Sequence, residues 1–170
     1  MKPITVYENQ RVGIFVDVQN LYHSAKNIYH GRVNYPELMK HLVAGRQLIR
    51  SMAYVVKSET ALGEAAFFDA LEKSGLELRM KDLQVYADGL KKADWDVGLA
   101  VDAIRMSTFL DVVILVTGDG DFLPLIDYLK WGVGRLVEVA AFKRSASSKI
   151  QEAADKFINM EEIPRIILRK

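Results

Sequence analysis

The sequence predicts an α/β fold in which a central, mostly parallel sheet of five or more strands is covered by helices on both faces. Three observations carry this expectation. Short, wholly apolar runs such as "VGIFV" and "VVILV" suit strands buried on both sides, because a half-solvated strand would alternate with polar residues. Segments with apolar residues at helical spacing stand between these runs, and strand-helix alternation winds into a parallel sheet. A chain of 170 residues that is 50% hydrophobic and 26% charged has enough apolar surface for one core, and it is read as one domain over residues 1–170 with its core at about 11–158.

The first strand, Val12 to Val16, ends at Asp17, and a helical pattern follows from Val18 to Tyr29. After the turn-like "HGRVNYPE", Leu38, Leu42 and Val43 recur at helical spacing up to Gly45. "SMAYVV" is the second strand. From Ala61 the spacing of Leu62, Ala65, Ala66 and Ala70 predicts a helix that stops at Gly75. "LELRMKDLQVY" alternates and reads as a third strand, near an edge because its outward positions are charged. From Asp96 to Met106, the spacing of Val97, Ala100, Val101 and Ile104 predicts the inward face of a helix. "VVILV" is the fourth strand; Asp121 is placed to cap the next helix, Pro124 falls in its first turn and Gly132 ends it. "LVEVAAF" is the fifth strand, and "SASSKIQEAADKFI" predicts a last helix aligning Ala146, Ile150, Ala153 and Phe157.

Formal net charge is +1, from 23 basic and 22 acidic residues, so attraction to nucleic acid would come from local patches rather than a global field. The absence of cysteine excludes disulfides, thiolate nucleophiles and Cys-based metal sites. "MKPITVYENQR" lacks the apolar core of a signal peptide, and no apolar run approaches the roughly 20 residues of a membrane span, so a soluble cytoplasmic protein is expected. His23, His30 and His41 form no metal-ligand pattern.

In open parallel sheets ligands bind beyond the carboxyl ends of the strands, near the point where strand order reverses. Asp17 leaves the first strand there, and Asp119 and Asp121 leave the fourth. Asp96, opening a helix after the third strand, can reach the same edge. Alone, Asp-Gly-Asp is a turn with a helix cap; joined to Asp17 and Asp96 it becomes a convergence of four carboxylates. Two like charges about 5 Å apart at an effective dielectric of about 20 repel by roughly 3 kcal/mol, so four need compensation. Mg²⁺ or Mn²⁺ offers it, because hard cations take oxygen ligands.

The stretches "IFVDVQNLY", "KKADWDVGLAVDAI", "VVILVTGDGDFLPLI" and "VEVAAF" followed by "IQEAADKFI" resemble, in that order, the NYN domain of the LabA-like branch within the PIN-like nuclease group. The resemblance runs from about Arg11 to Phe157. It implies a PIN-like three-layer α/β/α sandwich and a metal-dependent ribonuclease using Mg²⁺ or Mn²⁺, with RNA as partner. Carried onto this chain, it implies metal and catalytic roles for Asp17, Asp96, Asp119 and Asp121, with Asn20 beside them, and a basic residue before the central helix that aligns with Lys92. The family's serine-glycine-aspartate-serine-aspartate run reads here Thr117, Gly118, Asp119, Gly120, Asp121, so one hydroxyl is kept and one lost. The family also has an acidic residue at Asp102. On an ideal helix this lies about 120° from Asp96, which leaves an accessory role and an ion pair with a neighbour such as Arg105 both open. Asp94 is read as part of the helix start.

Lys143, Arg144 and Lys149, beyond the fifth strand, form either a phosphate track or a solvated loop. Trp95 and Tyr22 flank site residues and are read first as core and second as stacking platforms. Two rival functions stand beside the nuclease. One is a catalytically silent RNA-binding or protein-interaction module. The other is a haloacid-dehalogenase-like phosphatase, which needs an acid two residues after its nucleophile, where this chain has Gln19. Oligomeric state is left open, a homo-oligomer included.

Overall fold

The computed structural model describes residues 6–57, 63–89, 91, 92 and 94–169, with the side chains of Lys91 and Lys92 outside that set. Residues 1–5 of the amino-terminal segment, and Ala61 and Leu62 of the third helical pattern, lie outside the described residues. The elements in chain order are β1 (Arg11–Asp17), α1 (Val18–Tyr29), β2 (Arg32–Val33), α2 (Tyr35–Val43), β3 (Gln47–Lys57), α3 (Glu64–Lys73), β4 (Glu77–Asp82), β5 (Gln84–Val85), β6 (Lys91–Lys92), α4 (Asp96–Met106), β7 (Val112–Val116), α5 (Leu123–Asp127), β8 (Leu136–Ala141), α6 (Ser148–Ala153), β9 (Lys156–Asn159) and β10 (Ile167–Leu168).

Six strands form the central sheet in the order β4-β3-β1-β7-β8-β9, and every neighbouring pair is parallel. The apolar runs lie at its centre, all five residues of β7 being buried. Alternate residues of the strands face opposite ways. Val12, Ile14 and Val16 join a core with Leu21 of α1, Leu38 and Leu42 of α2 and Leu71 of α3. Phe15, Val113 and Leu115 join the other, with Leu99 of α4, Ile126 of α5 and Ile150 of α6. Helices α1 to α3 thus cover one face and α4 to α6 the other, the three-layer α/β/α sandwich that the sequence leads one to expect. Gly13 serves this packing, since a Cβ there would lie 2.4 Å from Leu110 Cδ1. Among the described residues no helix is long and apolar enough to cross a membrane.

Three expectations are corrected. The last helix stops at Ala153, because Ala154 takes φ −63°, ψ 145° and Asp155 clamps the chain to β8: its N–H donates to Val137 O at 2.8 Å, and its Oδ2 accepts from Val137 N at 2.8 Å. Phe157 therefore belongs to β9, the sixth strand. The long third strand is two pieces: β4 pairs with β3 at the sheet edge as far as Asp82, and β5 turns away to pair antiparallel with β6. The third correction concerns α4, whose buried residues are Leu99, Asp102 and Ala103, while Val97 is 77% exposed and Val101 and Ile104 are exposed as well. Both stripes of this helix are apolar, and spacing identifies a stripe without saying which one meets the sheet.

Candidate metal centre

The sheet order reverses at β1, which has β3 on one side and β7 on the other. Both β1 and β7 deliver polar residues at that point. Asp17 Oδ1 accepts from Asn20 N at 3.2 Å and so caps α1, while its Oδ2 accepts from Thr117 Oγ1 at 2.9 Å. The buried Thr117 hydroxyl accepts in turn from Asp119 N at 3.2 Å. Asn20 Oδ1 accepts from Gly118 N at 2.8 Å. The cap expected at Asp121 is made by Asp119 instead, whose Oδ1 accepts from Asp121 N at 2.9 Å. Asp121 itself lies in the single 3-10 turn Gly120–Phe122 that leads into α5. These bonds tie the "TGDGD" backbone to β1 and α1.

Asp96 is the first residue of α4. It meets the loop from the other side, so that one carboxylate oxygen each of Asp96, Asp119 and Asp121 lies within 4.8 Å of the others. Asp17 stands outside that trio, held by Thr117 and Asn20. Burial raises the Asp96 carboxyl from 3.8 to about 6, with added repulsion from Asp119, Asp17, Asp94 and Asp121. Burial also raises Asp17, against the hydrogen bonds from Asn20 and Thr117, with smaller contributions from Asp119 and Asp94. The trio offers only hard oxygen donors, as Mg²⁺ and Mn²⁺ require, and a divalent cation would offset the repulsion that adds to the effect of burial on Asp96.

A stability measurement tests the crowding. Asp96 binds its proton more tightly folded (about 6) than unfolded (near 3.8), so this group makes wild-type stability fall as pH rises between those values. Solvent screening of a half-exposed site leaves on the order of 1–2 kcal/mol against the Asp96 charge, from burial first and from repulsion by the neighbouring carboxylates second. Loss of the charge at the start of α4 opposes that by about 0.3–1 kcal/mol. Asp96→Asn in EDTA should therefore melt about 2–4 °C above wild type at pH 7.5, as expected for roughly 1 kcal/mol in a chain of this size, and the two should converge near pH 4. Mg²⁺ should raise the wild type more than the variant. Superimposable melts under all these conditions would mean that the carboxylates do not crowd.

Comparison with known proteins places this architecture. The family model described as NYN domain matches residues 11–161. The chain belongs to the NYN domain family. NYN domains are a PIN-like nuclease family, and the acidic trio fits that class. The chain is 22% identical over 170 residues to the low amplitude and bright protein LabA of Synechococcus elongatus, covering 95% of this chain and 89% of that one. A crystal structure of a protein of unknown function from Vibrio parahaemolyticus superposes with a TM-score of 0.87 at 28% identity, covering 97% of this chain and all of that one.

Other residues of this NYN domain fall as follows. Asp102 is buried on the sheet side of α4, where Oδ2 accepts from Tyr54 Oη at 2.8 Å and from Arg79 Nη1 at 3.0 Å; Arg79 takes the place expected of Arg105. Lys92 falls in β6. Lys143, Arg144 and Lys149 are exposed, and Arg144 Nε lies 3.6 Å from Glu161 Oε1. Trp95 is structural: its Nε1 donates to Val55 O at 2.9 Å and its ring packs against Tyr54. Tyr22 is exposed rather than in the core. Two features escaped the sequence. Asp94, read only as helix start, adds charge to the site and accepts from Asp96 N at 3.3 Å. Ser147 Oγ lies 2.8 Å from where a Cβ on Gly120 would sit, so a hydroxyl from the start of α6 occupies the space of the missing serine. The family's run of hydroxyls around the aspartates was the available signal, but nothing in it points to a residue 27 positions on.

Proposed function

We propose that this NYN domain is a ribonuclease that hydrolyses RNA phosphodiester bonds with Mg²⁺ or Mn²⁺. The observation that carries the proposal is the approach of Asp96, Asp119 and Asp121 to within 4.8 Å of one another. These three would hold the cation, with Asp17 as the outer carboxylate that orients its waters. When bound, the ion supplies charge neutralisation of the phosphodiester and a water acidified toward neutral pH. Thr117 keeps the Asp17 carboxylate turned to the site, because its single hydroxyl proton is donated there. Asn20 uses its carbonyl on Gly118, which leaves its amide N–H groups to orient a phosphate oxygen or water. Lys143, Arg144, Lys149 and Lys92 are proposed to meet the RNA backbone.

The phosphatase reading lacks its general acid, since Gln19 is uncharged and exposed. A silent binding module differs from the nuclease in one measurable respect. Single-stranded RNA incubated with the full chain should be cut in millimolar Mg²⁺ or Mn²⁺ and left intact in excess EDTA. Equal cutting in EDTA would overturn the metal mechanism, and RNA bound but uncut with either ion would favour the silent module.

A further inference from the structure

We infer that the apolar groove beside the carboxylates is a nucleobase subsite, a stacking surface for an unpaired base of the RNA whose phosphate the acidic trio holds; this rests on the nuclease reading above. The groove encloses about 340 Å³, near the lower end of ligand-site volumes, which is room for a nucleoside rather than a protein element. Val97 and Ile104 of α4 line one wall, Pro124 and Tyr128 the other, and Asp96 and Asp121 belong to the lining too. Val97 is 77% exposed and Tyr128 50%, although the first lies on the helical stripe that spacing assigns to the core. An apolar stripe turned to solvent beside a candidate catalytic centre calls for an occupant.

Charge selects which. Among the described residues the lining holds two acidic side chains, Asp96 and Asp121, and no basic one, so the groove repels a bare phosphate chain and accepts the neutral part of a nucleotide. A protein seated in it would cover both carboxylates and leave them desolvated without a counter-charge. A nucleotide instead brings its own phosphate and cation to that end, while its base slides over the apolar wall. Stacking on Tyr128 is tolerant of sequence, because every base has a π-face.

The test uses the full chain with Mg²⁺ at 4 °C, a fluorescein-labelled 12-nucleotide oligoadenylate checked for integrity by gel, and an abasic oligomer of equal length and charge. Tyr128→Ala should weaken oligoadenylate binding about tenfold, within the range for losing one stacked base, and Tyr128→Phe should restore it. The abasic oligomer should bind both proteins alike, and the slope of log affinity against log salt should be unchanged, since no charge is removed. In wild type, ¹³C-methyl signals of Val97 and Ile104 should move with oligoadenylate and stay put with the abasic oligomer. Equal oligoadenylate affinity for wild type and a folded Tyr128→Ala would overturn the subsite, as would methyl signals that ignore the base. Methyl shifts that follow protein concentration without RNA would overturn it in favour of a second copy of the chain. RNA left uncut with these responses intact would remove hydrolysis and keep the subsite; RNA cut with them absent would remove the subsite alone.

Discussion

Asp121→Asn should abolish cation-dependent RNA cleavage while leaving the fold in place. The loss expected is more than about 100-fold, the upper end of what removing a mere supporting partner of a metal ligand costs. Asp121 suits this experiment because its carboxylate makes no hydrogen bond or ion pair among the described residues, and it is the exposed member of the trio. Its backbone N–H is held by Asp119 Oδ1, a bond that Asn at 121 retains. The substitution therefore removes one negative charge and almost nothing else. Asp102 gives the contrast: it is the same residue type about one and two-thirds turns along α4 from Asp96, yet is occupied by Tyr54 and Arg79. A measurement of initial rates on single-stranded RNA with Mg²⁺ and with Mn²⁺, alongside a thermal melt, decides the matter. Cleavage within a few-fold of wild type by a folded Asp121→Asn would remove the trio as the catalytic centre.

The site was legible in the sequence to the extent that strand ends are. Val12 to Val16 and Val112 to Val116 are apolar throughout, so the charged residues that stop them, Asp17 and the "TGDGD" loop, had to emerge together at one edge of a parallel sheet. Asp96 was legible as a helix start, and the parallel sheet covered by helices on both faces follows from the alternation of apolar strands and helices, its PIN-like character being what the family resemblance implies. What stayed hidden depends on tertiary choices. The face that α4 turns to the sheet carries buried Ala103 and Asp102, and the partners that satisfy Asp102, Tyr54 and Arg79, are not near it in sequence. The turn of the chain into β9 depends on Asp155 pairing with Val137, while the residue spacing from Ala146 to Phe157 fits a helix equally well. Asp17 was expected as a member of the acidic group; its hydrogen bonds with Thr117 and Asn20 were not, because bonds of that kind leave no periodic trace.

Glu138→Ala should destabilise the protein by about 3–5 kcal/mol, a large share of the 5–15 kcal/mol typical of a domain. Glu138 interrupts the apolar run of β8 and is buried, as is its partner, with side chains 3% and 1% exposed. Arg46 grips it with both forks: Nη1 donates to Oε1 at 2.9 Å and Nη2 to Oε2 at 3.0 Å. The same guanidinium donates to Leu42 O at 2.8 Å and Val43 O at 3.2 Å, closing the carbonyl end of α2 just before the left-handed turn at Ala44 and Gly45. Truncating Glu138 leaves a guanidinium buried without its counter-charge, and the melting temperature should fall by roughly 10 °C. The pair is not thereby a net source of stability, since desolvating both charges offsets much of their attraction. Replacing both together, Arg46→Met with Glu138→Leu, separates the two effects. The double variant should recover most of the loss, but not all, because Arg46 also satisfies the carbonyls of Leu42 and Val43 and Met cannot. Urea unfolding of the wild type, both single variants and the double variant gives the coupling directly. If Glu138→Ala unfolds within about 1 kcal/mol of wild type, the pair is hydrated in solution and β8 does not depend on it.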